Sequence, residues 1–315
     1  MVARFLRWIF VLISGLALSC LAHPLINDYS GSDGDSNGLL AALAIALSSH
    51  GYIYVSDAGA GLLYRMDDME GTGLINYNGS ALGTPFSSPG GVTTDSLGRI
   101  YVASGNHIYR FDDMFGTNQV EYDGSAGSTP FAATRAVFVD SQFKIYVTDN
   151  NTDTLYRFDD MSGFNQTEVK GVFNNPQGLA VDSSGNVYVA DTAFGTIQRF
   201  IGMTTSGSTT YNGSAGTTFS NPFNVALDSN GKIYVASIAN GLYVFDDMSG
   251  TNQTQNNVSA SGLSRGLAVD SLGRIYYSEF TQNNRIYRFD DINGTNATFF
   301  GGPFSQPIYM HVSGI

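Results

Sequence analysis

Beyond the first twenty or so residues, apolar and polar positions alternate with a period of two in short runs separated by Asp, Gly, Asn and Ser. Alternation of this kind predicts half-buried β-strands, and no helical period of comparable strength competes with it. From about residue 40 one pattern recurs six times. An apolar strand ends in Asp-Ser-x-Gly, a second reads Ile-Tyr-Val-x-Asp, and a third reads Ile-Tyr-Arg-Phe. Asp-Asp-Met-x-Gly-x-Asn and a short fourth strand complete the unit. The tyrosines of the second strand, Tyr54, Tyr101, Tyr146, Tyr188, Tyr234 and Tyr276, are spaced 47, 45, 42, 46 and 42 residues apart. A unit of this length with four short strands predicts one four-stranded antiparallel blade per repeat in an all-β chain.

The fullest copy, Pro-x-Gly-Leu-Ala-Val-Asp-x-x-Gly-x-Val-Tyr-Val-Ala-Asp, runs unbroken from Pro176 to Asp191, and Asn224 to Val235 and Gly266 to Tyr276 are close variants of it. These residues resemble the NHL-repeat family of β-propellers, and the resemblance covers roughly residues 40 to 312. It implies a six-bladed β-propeller of four-stranded antiparallel blades around a central channel. It also implies an interaction platform, since most such proteins bind partners, while a minority of related six-bladed propellers are metal-dependent lactonases or lyases. Leu25 to Tyr29 looks like a fourth strand and Ile308 to Val312 like a first strand, so either end is a candidate to complete a neighbouring blade and remove an exposed edge.

The N-terminus carries a different pattern. Arg4 and Arg7 precede an apolar run, Trp8 to Leu18, that is short for a membrane span. Residues 1–22 read as a signal peptide and 23–315 as a single propeller domain. The only cysteine, Cys20, follows Leu16-Ala17-Leu18-Ser19 and resembles a bacterial lipobox, although Leu18 is bulkier than usual. Lipidation of Cys20 and ordinary cleavage after Ala22 both place the protein outside the cytoplasm, in a bacterial envelope or secreted. Membrane attachment is expected only through a lipid on Cys20, and no cysteine remains for a structural disulfide.

The charge is −12 from 15 basic and 27 acidic residues, and loss of Arg4 and Arg7 with the signal makes it −14. That excludes nucleic acid as a partner attracted by overall charge. A hydrophobic share of 43% excludes a disordered acidic chain. Only Glu70, Glu121, Glu168 and Glu279 are glutamates, so the other 23 acids are Asp, which is turn chemistry.

Asp95, Asp140, Asp182, Asp228 and Asp270 close the first strand of five repeats, three positions before Gly98, Phe143, Gly185, Gly231 and Gly273. They are expected to accept backbone N–H bonds in hairpin turns. The pairs Asp67-Asp68, Asp112-Asp113, Asp159-Asp160, Asp246-Asp247 and Asp290-Asp291 open the third hairpin, and repeat four replaces them with Ile201-Gly202-Met203. With Asn118, Asn165, Asn252 or Asn296 nearby, these pairs are either Asx turns or weak Ca²⁺ sites, Ca²⁺ being the one candidate cofactor. First and third hairpins project from the same side of a blade, so one face should be strongly negative and attract cations or basic partners.

The opposite face is built from loops that differ in every repeat: Ala58 to Gly61, Gly105-Asn106-His107, Asn150 to Thr154, Thr192 to Thr196, Ile238 to Gly241 and Phe280 to Asn284. Variable loops on a rigid scaffold are where binding is expected. At the channel mouth, aligned inner-strand positions are Leu43, Gly90, Arg135, Gln177, Phe223 and Arg265, followed by Ala44, Gly91, Ala136, Gly178, Asn224 and Gly266. None is acidic, and two arginines without a carboxylate would repel a lactonase-type metal rather than hold it. Arg135 and Arg265, with Gln177 and Asn224, fit either channel salt links or an anionic ligand. His23, His50, His107 and His311 show no metal-ligand spacing. The sequence therefore points to a non-catalytic, monomeric propeller that binds a protein or glycan through its variable loops. A metal-dependent lactonase or lyase, and a Ca²⁺-stabilised structural protein, are the alternatives.

Overall fold

The computed structural model describes residues 51–239, 241–256, 264–280 and 283–313. The strands form six four-stranded antiparallel sheets. Their inner strands are Pro307–Ser313, Pro89–Thr94, Thr134–Val139, Pro176–Val181, Pro222–Leu227 and Ser264–Val269, in blades one to six. Each packs against the next in cyclic order, and Ser264–Val269 packs against Pro307–Ser313, so the ring is closed. This is a six-bladed β-propeller, as the repeats predict.

Closure corrects one expectation. The inner strand of blade one is the C-terminal segment, with Tyr54 opposite His311 and Val55 opposite Met310. Ile308 and Tyr309 thus fill the places that the repeat alignment assigns to Leu43 and Ala44. Those two residues, Leu25 to Tyr29, the signal segment with Cys20, His23 and His50 lie outside the described residues.

The core lies between blades. β-Branched and aromatic residues of second and third strands alternate between the two faces of each sheet, so every blade offers an apolar surface to both neighbours. Tyr54, Leu63 and Tyr77 of blade one join Val92, Ile100, Val102, Tyr109 and Phe111 of blade two in one buried cluster. Phe86, Phe131 and Phe219, from loops between blades, insert edge-on against Tyr109, Tyr156 and Tyr243 at centroid distances of 5.2, 4.9 and 4.9 Å. Fourth-strand tyrosines tie three blades to the next: Tyr77, Tyr122 and Tyr211 donate to Gln119, Gln166 and Gln253 at 2.5, 2.6 and 2.5 Å.

Toward the centre the inner strands converge until side chains no longer fit. A Cβ on Gly91 would stand 2.6 Å from Ala136 Cα, and one on Gly178 would stand 2.7 Å from Asn224 Cα. Every inner strand also shifts register near its start, within Pro307–Tyr309, Pro89–Val92, Thr134–Ala136, Pro176–Leu179, Pro222–Asn224 and Ser264–Leu267. A bulge releases its extra residue from the ladder and re-aims it. The residues released at one level of the ring include Ile308, Gly90, Arg135, Gln177, Phe223 and Arg265.

Candidate functional site

The hairpins between first and second strands are Asx turns throughout. Asp95 Oδ1 accepts from Leu97 N at 2.9 Å and Arg99 N at 3.0 Å, while Oδ2 accepts from the Tyr101 hydroxyl at 3.0 Å. Asp140, Asp182, Asp228 and Asp270 repeat the arrangement with Tyr146, Tyr188, Tyr234 and Tyr276. Gly98, Gly185, Gly231 and Gly273 take left-handed φ values of 78 to 81°, and Phe143 takes 63°.

The Asp pairs of the third hairpins follow the same logic. Asp113 Oδ1 accepts from Phe115 N at 2.9 Å and Oδ2 from Thr117 Oγ1 at 2.7 Å. Asp247 holds Ser249 and Thr251 likewise, and these bonds hold its carboxyl at about 2. The partner asparagines turn their amide N–H₂ toward the first carboxylate: Asn118 to Asp112 at 2.8 Å, Asn165 to Asp159 at 2.9 Å, Asn252 to Asp246 at 2.7 Å and Asn296 to Asp290 at 2.6 Å. In the first repeat Gly73 stands at the asparagine's left-handed position, and Asp68 accepts from Glu70 N and Thr72 N. Among the described residues, no three His, Cys, Asp or Glu side chains converge as a metal site would require. Ion pairs between Lys144 and Asp159 at 2.8 Å and between Lys232 and Asp246 at 3.3 Å join first to third hairpins, which places both sets of acids on one face.

That face carries two features that the repeat pattern did not signal. Hairpin tips expose Leu97 (69%), Phe115 (83%), Phe164 (61%) and Leu272 (69%) among the carboxylates. A cleft of about 490 Å³ opens between blades three and four, lined by Lys144, Tyr146, Arg157, Asp182, Gly202 and Met203. It lies where the fourth repeat substitutes Gly202-Met203 for an Asp pair, and that departure was the available sequence signal.

On the opposite face the variable loops are clamped from below. The last residue of each second strand is buried: Asp57, Ser104, Asp149, Asp191, Ser237 and Glu279. Asp57 accepts from Ala60 N and from Ser305 N and Gln306 N of the closing segment. Asp149 accepts from Ala132, Ala133, Asn151 and Thr152 N–H groups. Asp191 accepts from Asn174 N, Phe194 N and Gln198 Nε2, and burial pushes its carboxyl up to about 6. Ser104 and Ser237 accept from Ser88 N and Ser220 N. Glu279 instead accepts from Asn283 Nδ2 and the Tyr287 hydroxyl. The motif Ile-Tyr-Val-x-Asp thus ends in the residue that fixes a loop, a role its spacing alone did not reveal.

The channel mouth opens on this loop face and assembles the four sequence-selected residues Arg135, Gln177, Asn224 and Arg265, with Tyr309 in addition. Gln177 and Asn224 are buried. Asn224 Oδ1 accepts from Val225 N at 2.9 Å, so it is engaged by its own strand. The Arg265 guanidinium carbon lies 3.7 Å from the Phe280 ring centroid and 4.9 Å from that of Phe223. Burial, together with the like charge of Arg135, pushes Arg265 down from its ordinary value. Neither arginine joins an ion pair among the described residues, so channel salt links are not what holds them. His107, expected in a variable loop, instead opens the third strand of blade two opposite Ser104, because that hairpin turn is only two residues long, and His311 bonds Thr94 Oγ1 at 2.8 Å.

Six closed blades with Asx-turned hairpins on one face and variable loops on the other define a six-bladed β-propeller. The NHL repeat family model matches residues 173–200, within the fourth blade, which supports the resemblance of the repeats to NHL-repeat propellers. No curated protein matches the sequence. Among solved structures, virginiamycin B lyase from Staphylococcus aureus is similar at 18% identity and a TM-score of 0.53, over 70% of this chain and 73% of that one. A chain of a nidogen/laminin complex is similar at 11% identity and a TM-score of 0.62, over 83% and 98%. A protein of unknown function from Bacteroides caccae is similar at 13% identity and a TM-score of 0.61, over 84% and 99%. At these identities the likeness is one of fold.

Proposed function

We propose that this chain is an exported, non-catalytic propeller that binds a protein or glycan partner through its variable loop face, held at a bacterial envelope by a lipid on Cys20. The observation that carries the reading is the buried polar residue that ends every second strand beneath the variable loops. In three blades Asp57, Asp149 and Asp191 hold backbone N–H groups of the loop itself, at Ala60, at Asn151 and Thr152, and at Phe194, while the loop sequences differ from blade to blade. Fixing a loop before binding lowers the conformational cost of association, which is what a recognition surface needs. The loops are polar and nearly uncharged, and Phe194 stands out of them 56% exposed, a candidate anchor for a partner.

Crosslinking and pull-down of the tagged full-length protein from its native cells should recover a partner. Replacing Phe194 and His107 by Ala should release it while the melting curve stays in place. Failure to recover any envelope partner, together with turnover of a lactone or ester panel, would sink the reading in favour of an enzyme. A second reading rests on the apolar tips Leu97, Phe115 and Phe164 among the Asp turns: that face suits a basic protein, and a partner retained by the Phe194 variant and lost with Phe115→Ser would select it.

A further inference from the structure

The channel mouth holds charge and polarity that the fold does not use. Arg135 comes from blade three and Arg265 from blade six, on opposite sides of the ring, yet their charges act on each other and on Tyr309 of the closing strand. No acid pairs with them among the described residues, and Asp57, Asp149, Asp191 and Glu279 are turned instead to the hydrogen bonds that hold the loops and their neighbours. Tyr309 is 3% exposed, and its hydroxyl has no partner among the described residues. Gln177 Oε1, Arg135 Nε and Arg265 Nε are likewise buried and unpartnered, as is Ser56 Oγ, opposite Tyr309 in the strand register.

Two like charges and several unmade hydrogen bonds at one place are costly, since a buried polar group without a partner keeps its full desolvation penalty. A group that carries negative charge and accepts hydrogen bonds would satisfy them together. We propose that the channel mouth is a binding site for a small oxyanion, a carboxylate or a phosphate group, received between the guanidiniums of Arg135 and Arg265 with the Tyr309 hydroxyl donating to it.

The arrangement is prepared for that ligand. Phe280 and Phe223 hold the Arg265 guanidinium by its faces, which leaves its N–H edge to meet an anion. Burial raises Tyr309 above the ordinary phenol value, so it stays a donor at neutral pH. Ile308, Phe223 and Tyr309 pack with Ala136 of blade three in one buried cluster that narrows the channel. Phe223 and Tyr309 ring centroids are 5.5 Å apart, and this limits the ligand to a small group or to the tip of a larger one. The carboxamide oxygen of Gln177 can only accept, and would take a hydroxyl or protonated oxygen of the bound group.

Calorimetric titration of the full-length protein at low ionic strength, with sodium acetate and with inorganic phosphate as probes, tests the site. Saturable binding of either is expected, and the preferred probe tells carboxylate from phosphate. Arg135→Gln should weaken it by about tenfold or more, and Tyr309→Phe by about fivefold or more, since both lose a charge-assisted hydrogen bond and the first also loses a charge. Arg265→Lys, which keeps the charge and loses the fork, should weaken binding less than Arg265→Gln. Lys144→Gln on the other face should leave it unchanged. Unfolding curves confirm that each variant is folded, and the Lys and Gln substitutions at Arg265 give the comparison even if one arginine variant does not fold. No saturable binding of either probe, or binding that survives Arg135→Gln and Arg265→Gln unaltered, overturns the site. Because the probes need no macromolecular partner, this result is independent of the pull-down.

Discussion

At the scale of single residues, the buried clamps set a pH dependence. Asp191 is fully buried, and its carboxyl is raised from 3.8 to about 6 by burial, against the bonds from Asn174 and Phe194 that oppose the shift. A carboxyl raised in the folded state contributes stability that is fully present below the unfolded value near 4 and is lost as pH rises through 6. The shift corresponds to an effect on the order of 2 to 3 kcal/mol. His311 works in the opposite sense. Burial lowers it from 6.5 to about 4, so its contribution is present above 6.5 and is lost as pH falls toward 4. Melting temperatures from pH 4 to 7 separate the two. The wild type should lose ground to Asp191→Asn as pH rises across that range and gain ground on His311→Asn. Parallel curves for wild type and Asp191→Asn would show that the carboxyl is ionised throughout. The Asp that ends the second strand was legible as a strand end only. Its partners lie far along the chain, as Ser305 and Gln306 do for Asp57, and only the closed ring brings them together.

At the scale of elements, the hairpins were the most legible part of the molecule, because their chemistry is local. An Asp accepting N–H bonds two and four residues on, with a left-handed residue between, needs nothing from the rest of the fold. The Asp pairs follow the same local logic, each second carboxylate accepting bonds from its own turn, as Asp113 does from Phe115 and Thr117. The turn also identifies a misfit. Phe143 adopts φ 63° where the other four hairpins have glycine, and a bulky side chain there costs about 1 to 2 kcal/mol. Its compensation is a contact with the Arg99 guanidinium, 5.4 Å from the ring centroid, worth about 0.5 to 1 kcal/mol at an exposed site. Phe143→Gly should therefore stabilise the protein by roughly 0.5 to 1 kcal/mol in urea unfolding, as the difference of those two effects. Stability lowered by the substitution would mean that the ring does more for the Arg99 neighbourhood than this contact accounts for. The inner strands were legible in part. Five of the six channel positions follow from the alignment, but the bulges that aim them depend on how neighbouring backbones converge.

At the scale of the whole molecule, the seam was the part that no repeat could announce. Periodicity counts units but says nothing about which end supplies the missing strand, and pairing Tyr52 with Ser313 joins residues 261 apart. The seam has physical consequences, because the closing strand buries Ile308, Tyr309 and Met310 and covers an edge of blade one that would otherwise present unpaired N–H and C=O groups. Met310 packs with Ile53, Val55 and Ala268, so it touches blades one and six together. Met310→Ala should cost about 2 to 5 kcal/mol through lost transfer energy and the cavity left behind. Removal of residues 307–315 should cost more, since each of three large apolar side chains contributes about 1.5 to 3 kcal/mol. That loss exceeds a third of the stability typical of a domain, about 5 to 15 kcal/mol in all. The truncated chain should melt at least 10 °C lower, at about 2 to 4 °C per kcal/mol, and should aggregate through the open edge of Tyr52–Asp57. Hydrogen exchange locates the effect: the amides of Tyr52–Asp57 should lose protection first, and those of Pro176–Val181, across the ring, last. Uniform loss of protection in all six blades would instead mean that the propeller opens as one cooperative unit and that the seam is no weaker than any other junction.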